Sequence, residues 1–219
     1  MSVVSTGRPP AAAEAARSGR KPKGEGHSRR AEMLAAAERI FVEHGYEGAT
    51  IRKIADEVGL SSTALYMHFA DKGEILHEIC RETFERLIAA NQRIMAEAET
   101  ADERLRRMLQ SYVDFGFDNP NAYRLVYLTR PVEARDGAQS AAQQLGAELF
   151  GSLEAVIGQI EAEGRLICGD ARLTAQLFWS GIHGVVSLVI TKPYFDWADR
   201  HELGRAMGDA LYRGLVRPA

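Results

Sequence analysis

From Ser28 onward the apolar residues recur three and four positions apart, and no stretch alternates apolar with polar residue by residue. That property leaves packed helices as the architecture, because a half-buried strand needs a period of two and a helix face a period of 3.6. The punctuation agrees. Thr50, Ser61 and Asp170 stand where N-caps belong, and Asp71 with Glu74 and Thr100 with Glu103 form capping boxes. Gly45, Gly59 and Gly164 sit at helix ends, and Asn119-Pro120 and Pro193 close two more. The expected fold class is all-α, with about nine helices: 28–45, 51–58, 62–69, 71–94, 100–119, 122–128, 138–163, 170–192 and 199–215. A polar loop, "RPVEARDG", precedes the long seventh helix.

The chain has 219 residues, 46% of them hydrophobic, enough for a small domain joined to a larger one. The first three helices are short and tightly joined, so the boundaries fall as a disordered basic arm over 1–27, a three-helix unit over 28–71 and a larger helical domain over 72–219. The net charge is −3. Residues 1–30 carry seven Lys and Arg against Glu14 and Glu25, so the arm is basic and the body acidic. Cys80 and Cys168 are too few and too far apart for a disulfide framework or a zinc site, which fits a reducing cytoplasm. No apolar run of about 18 residues is evident, and the N-terminus lacks the apolar segment of a secretory leader. His77 and Cys80 could share a metal, but no third ligand accompanies them, and no cofactor is expected.

"GLSSTALYMHF" puts four bulky side chains into one short helix. Stepped at 100° per residue, Leu65 and Phe69 face inward, Thr63, Ala64 and Met67 face outward, and Tyr66 and His68 lie on the flanks. A buried helix would be apolar all round. This one offers a low ridge of the kind that enters a groove about 12 Å wide. In the preceding helix Ile51, Ile54, Ala55 and Val58 share a face, and Arg52 and Lys53 occupy the first turn. Cations there oppose the helix dipole, but with Thr50 and the first amides they suit a phosphate. Helix, glycine turn and ridged helix make a helix-turn-helix.

"TIRKIADEVGLSSTALYMHFADKGEIL" resembles the DNA-binding signature of TetR-type transcriptional regulators, over Ser28 to about Leu76. Thr50, Ile54-Ala55, Gly59, Leu65-Tyr66, His68-Phe69 and Lys72 fall in register. The resemblance implies a homodimer of all-α subunits whose C-terminal domain takes a small molecule that releases DNA. Tyr66 and His68 would touch phosphates, and Lys72 would hold one at the start of the fourth helix. Thr63, Ala64 and Met67 would face base edges, with Ser62 beside them and Thr50, Arg52 and Lys53 on the backbone. No Arg, Asn or Gln stands on the ridge, so readout is expected to lean on shape and apolar contact, with Arg52 the best direct donor. Residues 28–76 hold six Lys and Arg against eight Asp and Glu, so positive charge must gather on one face. The basic arm is either a solvated tail or a further DNA contact.

"FWSGIHGVVSL" resembles the Trp-His-Gly pattern of one C-terminal subtype, through Trp179, His183 and Gly184. A ligand site lined by Tyr112, Phe115, Tyr123, Tyr127, Trp179 and His183 is expected, with His183 equally readable as a core or interface residue. The last two helices carry Gly181, Gly184, Gly204 and Gly208, and close approach there would build a four-helix dimer interface or pack within one subunit. The expected function is a DNA-binding regulator, a repressor released by a small, largely apolar ligand. The alternatives are a closed-pocket regulator under a protein partner or no effector, and an enzyme using the helical pocket. The sequence carries no nucleophile elbow, phosphate loop or paired-carboxylate motif for the last.

Overall fold

The computed structural model describes residues 25–128, 136–167 and 169–219. Among these described residues nine α-helices follow in order: α1 (Glu25–Gly48), α2 (Ile51–Glu57), α3 (Ser62–Tyr66), α4 (Lys72–Glu97), α5 (Ala101–Asp118), α6 (Pro120–Tyr123), α7 (Asp136–Ala162), α8 (Ala171–Thr191) and α9 (Arg200–Leu215). Among the described residues there is no strand beyond one isolated bridge, Leu166 to Val216. The all-α expectation holds.

The caps read from sequence are in place. Thr50, Ser61, Asp71, Thr100 and Asp170 each accept from the backbone amide three residues on. Several boundaries differ. The backbone is helical from Glu25, three residues earlier than expected; the helix breaks at Gly45 (φ 68°, ψ 169°), the expected stop, and a short further turn carries α1 to Gly48. The third helix ends at Tyr66 rather than Phe69, where the His68 amide donates to the Leu65 carbonyl and tightens the last turn. The expected helix 122–128 is one α-turn followed by a π-helical turn, Arg124–Leu128. Residues 1–24, most of the "RPVEARDG" loop and Cys168 lie outside the described residues.

Two hydrophobic clusters organise the chain. One joins α1 to α4 through Phe41, Ile54, Leu65, Phe69 and Ile75, with Leu125 from the π-turn. The other joins α4, α5, α7, α8 and α9 around Leu105, Tyr123, Ile157, Phe178 and Val186. Helix α4 contributes to both. Helix α8 is long and apolar enough by length and composition to cross a membrane, a feature missed in the sequence. Its buried Phe178, Ile182 and Val186 belong to the second cluster, which accounts for that apolarity.

Candidate functional site

The N-terminal unit presents the expected ridge. Leu65 and Phe69 are buried while Tyr66 is 56% and Met67 83% exposed. Thr63 and His68 are exposed, and Ser62 and Ala64 half-exposed. Gly59, at φ 65°, makes the turn between α2 and α3, a conformation that costs a residue with a Cβ. Helix α3 has only five residues, so the Ser61 cap, 3.1 Å from the Ala64 amide, and the two buried anchors hold it.

The cations around it are unequally free. Arg52 is exposed and 3.7 Å from Asp56. Lys53 Nζ donates to the Gly48 carbonyl at 2.9 Å. Lys72 Nζ donates to the Tyr46 carbonyl at 2.8 Å, lies 3.8 Å from the Glu47 carboxylate and sits 4.3 Å over the Tyr46 ring. Arg30, engaged with the His68 carbonyl, the Glu78 carboxylate and the Phe69 ring, braces the end of the ridge rather than reaching outward.

A cavity of about 380 Å³ lies in the larger part of the chain. Its wall along α4 is a stripe at helical spacing: Gly73, Leu76, His77, Cys80, Phe84, Leu87 and Asn91. Helix α7 faces it with Gln143, Gly146, Leu149 and Leu153, and Met108, Tyr112, Tyr127, Trp179 and Ile182 complete it. Of the six residues expected at a ligand site, Tyr112, Tyr127 and Trp179 line this cavity. Tyr123 is fully buried behind it, and His183 borders a smaller recess with Tyr127, Trp179 and Ser180. Phe115 is not in the lining; its ring lies under the Arg86 guanidinium at 5.5 Å. Tyr46, unconsidered in the sequence, lines the end nearest the helix-turn-helix and stacks on Phe41. Its position follows Gly45, whose left-handed backbone turns the chain there, and that is the one sequence signal that could have pointed to it.

The inward end is a hydroxyl chain. Tyr123 lies 2.6 Å from His183 Nδ1 and 3.3 Å from the Tyr112 hydroxyl, and Trp179 Nε1 donates to Tyr112 at 3.4 Å. Burial raises the pKa of all three tyrosines, Tyr112, Tyr123 and Tyr127, and lowers that of His183, so each stays neutral. For His183 the sign follows directly. The unfolded chain takes up the proton first as pH falls, so stability is full above about pH 6.5 and is lost as pH drops toward the lower folded value. The thermal midpoint is therefore expected to fall between about pH 7.5 and pH 5.5, and His183→Gln to flatten part of that fall; an unchanged pH profile in the variant would remove His183 from the account.

Among the described residues no group of three His, Cys, Asp or Glu is placed to hold a metal. Gly184 and Gly214 of the last two helices face open space, whereas a Cβ on Gly181 or Gly204 would meet Leu211 or Val113 within the subunit. The small residues thus serve both packing and an open face, on which Leu173, Leu177 and Leu188 are exposed.

Residues 33–79 match the family described as bacterial regulatory proteins, tetR family, and residues 105–211 the tetracyclin repressor-like C-terminal domain. The chain is 31% identical over 119 residues to the HTH-type transcriptional activator FasR of Mycolicibacterium smegmatis, covering 52% of this chain and 53% of that one. It is 32% identical over 121 residues to the HTH-type transcriptional repressor KstR2 of Mycobacterium tuberculosis, covering 55% and 56%. The match thus spans about half the length of these curated relatives. The TetR-family regulator PfmR of Thermus thermophilus superposes with a TM-score of 0.72 at 26% identity, over 86% of this chain and 98% of that one. The fatty acid degradation regulator FadR of Bacillus halodurans shares the fold, with a TM-score of 0.73 at 20% identity, over 89% and 98%.

Proposed function

The chain belongs to the TetR family of bacterial regulators, and on that premise we propose that it is a homodimeric DNA-binding repressor released from its operator by a small, largely apolar ligand. The observation that carries the reading is the ridge of α3, with Thr63, Tyr66 and Met67 outward on two buried anchors. A ridge so exposed has no packing role inside the subunit. In the proposed complex Thr63, Ala64 and Met67 meet base edges, Ser62, Tyr66 and His68 the adjoining backbone, and Thr50, Arg52, Lys53 and Lys72 the flanking phosphates. The open face of α8 and α9 is taken as the dimer surface, and two ridges then address half-sites about 34–36 Å apart. The domain limits of 28–71 and 72–219 belong to the same reading, as does the subtype mark of Trp179, His183 and Gly184. Relatives include both activators and repressors; repression is the sign we propose.

The cavity supports release by a ligand more than control through a closed pocket, because it is already formed. Its end at Tyr46 touches the residue whose carbonyl holds Lys72. A ligand that fits only when Tyr46 shifts would move Lys72 off its phosphate, and would favour the DNA-free state by the difference of its two affinities.

Anisotropy titrations on DNA from the upstream region test the interface. Tyr66→Ala is expected to weaken binding about tenfold or more on every sequence, while Thr63→Val changes which sequence is preferred. Equal binding by Tyr66→Ala and wild type at two salt concentrations would place the DNA elsewhere.

A further inference from the structure

The lining stripe on α4 runs from Gly73 to Asn91, which at 1.5 Å per residue is about 27 Å of helix. The cavity of about 380 Å³ is thus drawn out along α4 as a slot that a linear chain can follow. Its charge is as informative as its shape. Among the described lining residues none is Lys, Arg, Asp or Glu, and the one histidine is His77, partly exposed on α4. Two of the polar groups that face it, Cys80 and Asn91, are held neutral or already engaged. Burial pushes the Cys80 thiol up to about 11, and Asn91 donates to Ser152 Oγ at 2.7 Å. The nearest cations are committed elsewhere: Arg81 to Glu78 and Glu85, Arg86 to Asn119, and Lys72 to the Tyr46 carbonyl. An ionised carboxylate drawn into this slot would find no Lys or Arg in the wall and His77 as its one basic side chain, and burial of a poorly paired charge is costly.

The polar point lies midway along the slot. Tyr127, edge-on to Phe84 at 6.0 Å, and Tyr112 belong to the hydroxyl chain that ends on His183. Neutral phenols can give or take one hydrogen bond with an alcohol or carbonyl. We propose that the effector is a linear aliphatic molecule with an uncharged polar head, an alcohol or ketone, seated along α4 with its head at Tyr112 and Tyr127. This rests on the cavity being the effector site.

The test uses the full chain and three probes of equal carbon number: decan-1-ol, decanoic acid and cyclodecanol. Trp179 lines the slot, so quenching of tryptophan fluorescence reads occupancy directly. Decan-1-ol is expected to bind with an affinity unchanged between about pH 7 and pH 8.5, since it carries no group that titrates there. Decanoic acid is expected to weaken about tenfold per pH unit, because only its protonated form enters. Cyclodecanol is expected to bind at least about tenfold more weakly than its linear counterpart, and Tyr127→Phe to weaken decan-1-ol several-fold. Acid binding that is strong and flat with pH would overturn the neutral class. Equal binding of the ring would overturn the linear one, and no quenching by decan-1-ol up to its solubility would overturn the whole proposal. The same alcohol is then added to the DNA complex. Binding without release of DNA would support the ligand class while removing ligand-triggered release from the proposed function.

Discussion

Tyr123→Ala is expected to destabilise the chain by about 3–5 kcal/mol, which is much of the stability an ordinary domain has. The ring is fully buried, stacked on His183 with centroids 5.6 Å apart and packed edge-on to Tyr112. Alanine removes that packing and also takes the hydroxyl from His183 Nδ1. The two losses separate in Tyr123→Phe, which keeps the ring and should cost about 1–2 kcal/mol for the unmade hydrogen bond. Urea unfolding checks both, with the midpoint falling and the slope unchanged. An alanine variant within about 1 kcal/mol of wild type would mean that the core does not close around this residue as described.

Leu65→Ala should cost about 2–5 kcal/mol in the N-terminal unit and take most DNA affinity with it. Leu65 and Phe69 are the two inward anchors of a five-residue helix that cannot persist alone. Met67→Ala, two residues on and 83% exposed, should leave stability within about 0.5 kcal/mol. Hydrogen exchange over 62–69 together with DNA anisotropy distinguishes the two variants. Equal protection of these amides in Leu65→Ala would show that something other than Leu65 holds the ridge.

The helix-turn-helix was legible in the sequence because its determinants are local. Thr50, Gly59 and Ser61 fix the ends of α2 and α3 by their own backbone chemistry, and the face of α3 follows from counting. The cavity was legible only in part. Its aromatic members, Tyr112, Tyr127 and Trp179, announce themselves by size. Its long walls come from α4 lying against α7, a contact between segments distant in the chain, as Asn91 and Ser152 are. Nothing near Phe115 in the sequence says that Arg86 will cover it. Nothing near Tyr46 says that the first helix will close the end of a cavity built by the fourth and seventh. Side-chain identity was enough where the chain contacts itself nearby, and not where distant helices choose which faces meet.

Tyr46 has a practical bearing on redesign. Its ring is cavity wall and its carbonyl is the partner of Lys72. If Lys72 grips DNA and the cavity takes the effector, as proposed, a protein engineer widening the slot at Tyr46 or Gly73 would be editing the DNA grip at the same stroke, and selections for a new effector at that end would keep returning variants with altered basal expression. The opposite end, at Leu87, Asn91 and Leu153, lies about 20 Å or more further along α4, away from Lys72. On the proposed function, new effector specificity should be sought there first, where the response would be retuned while the unliganded set point stays as it is.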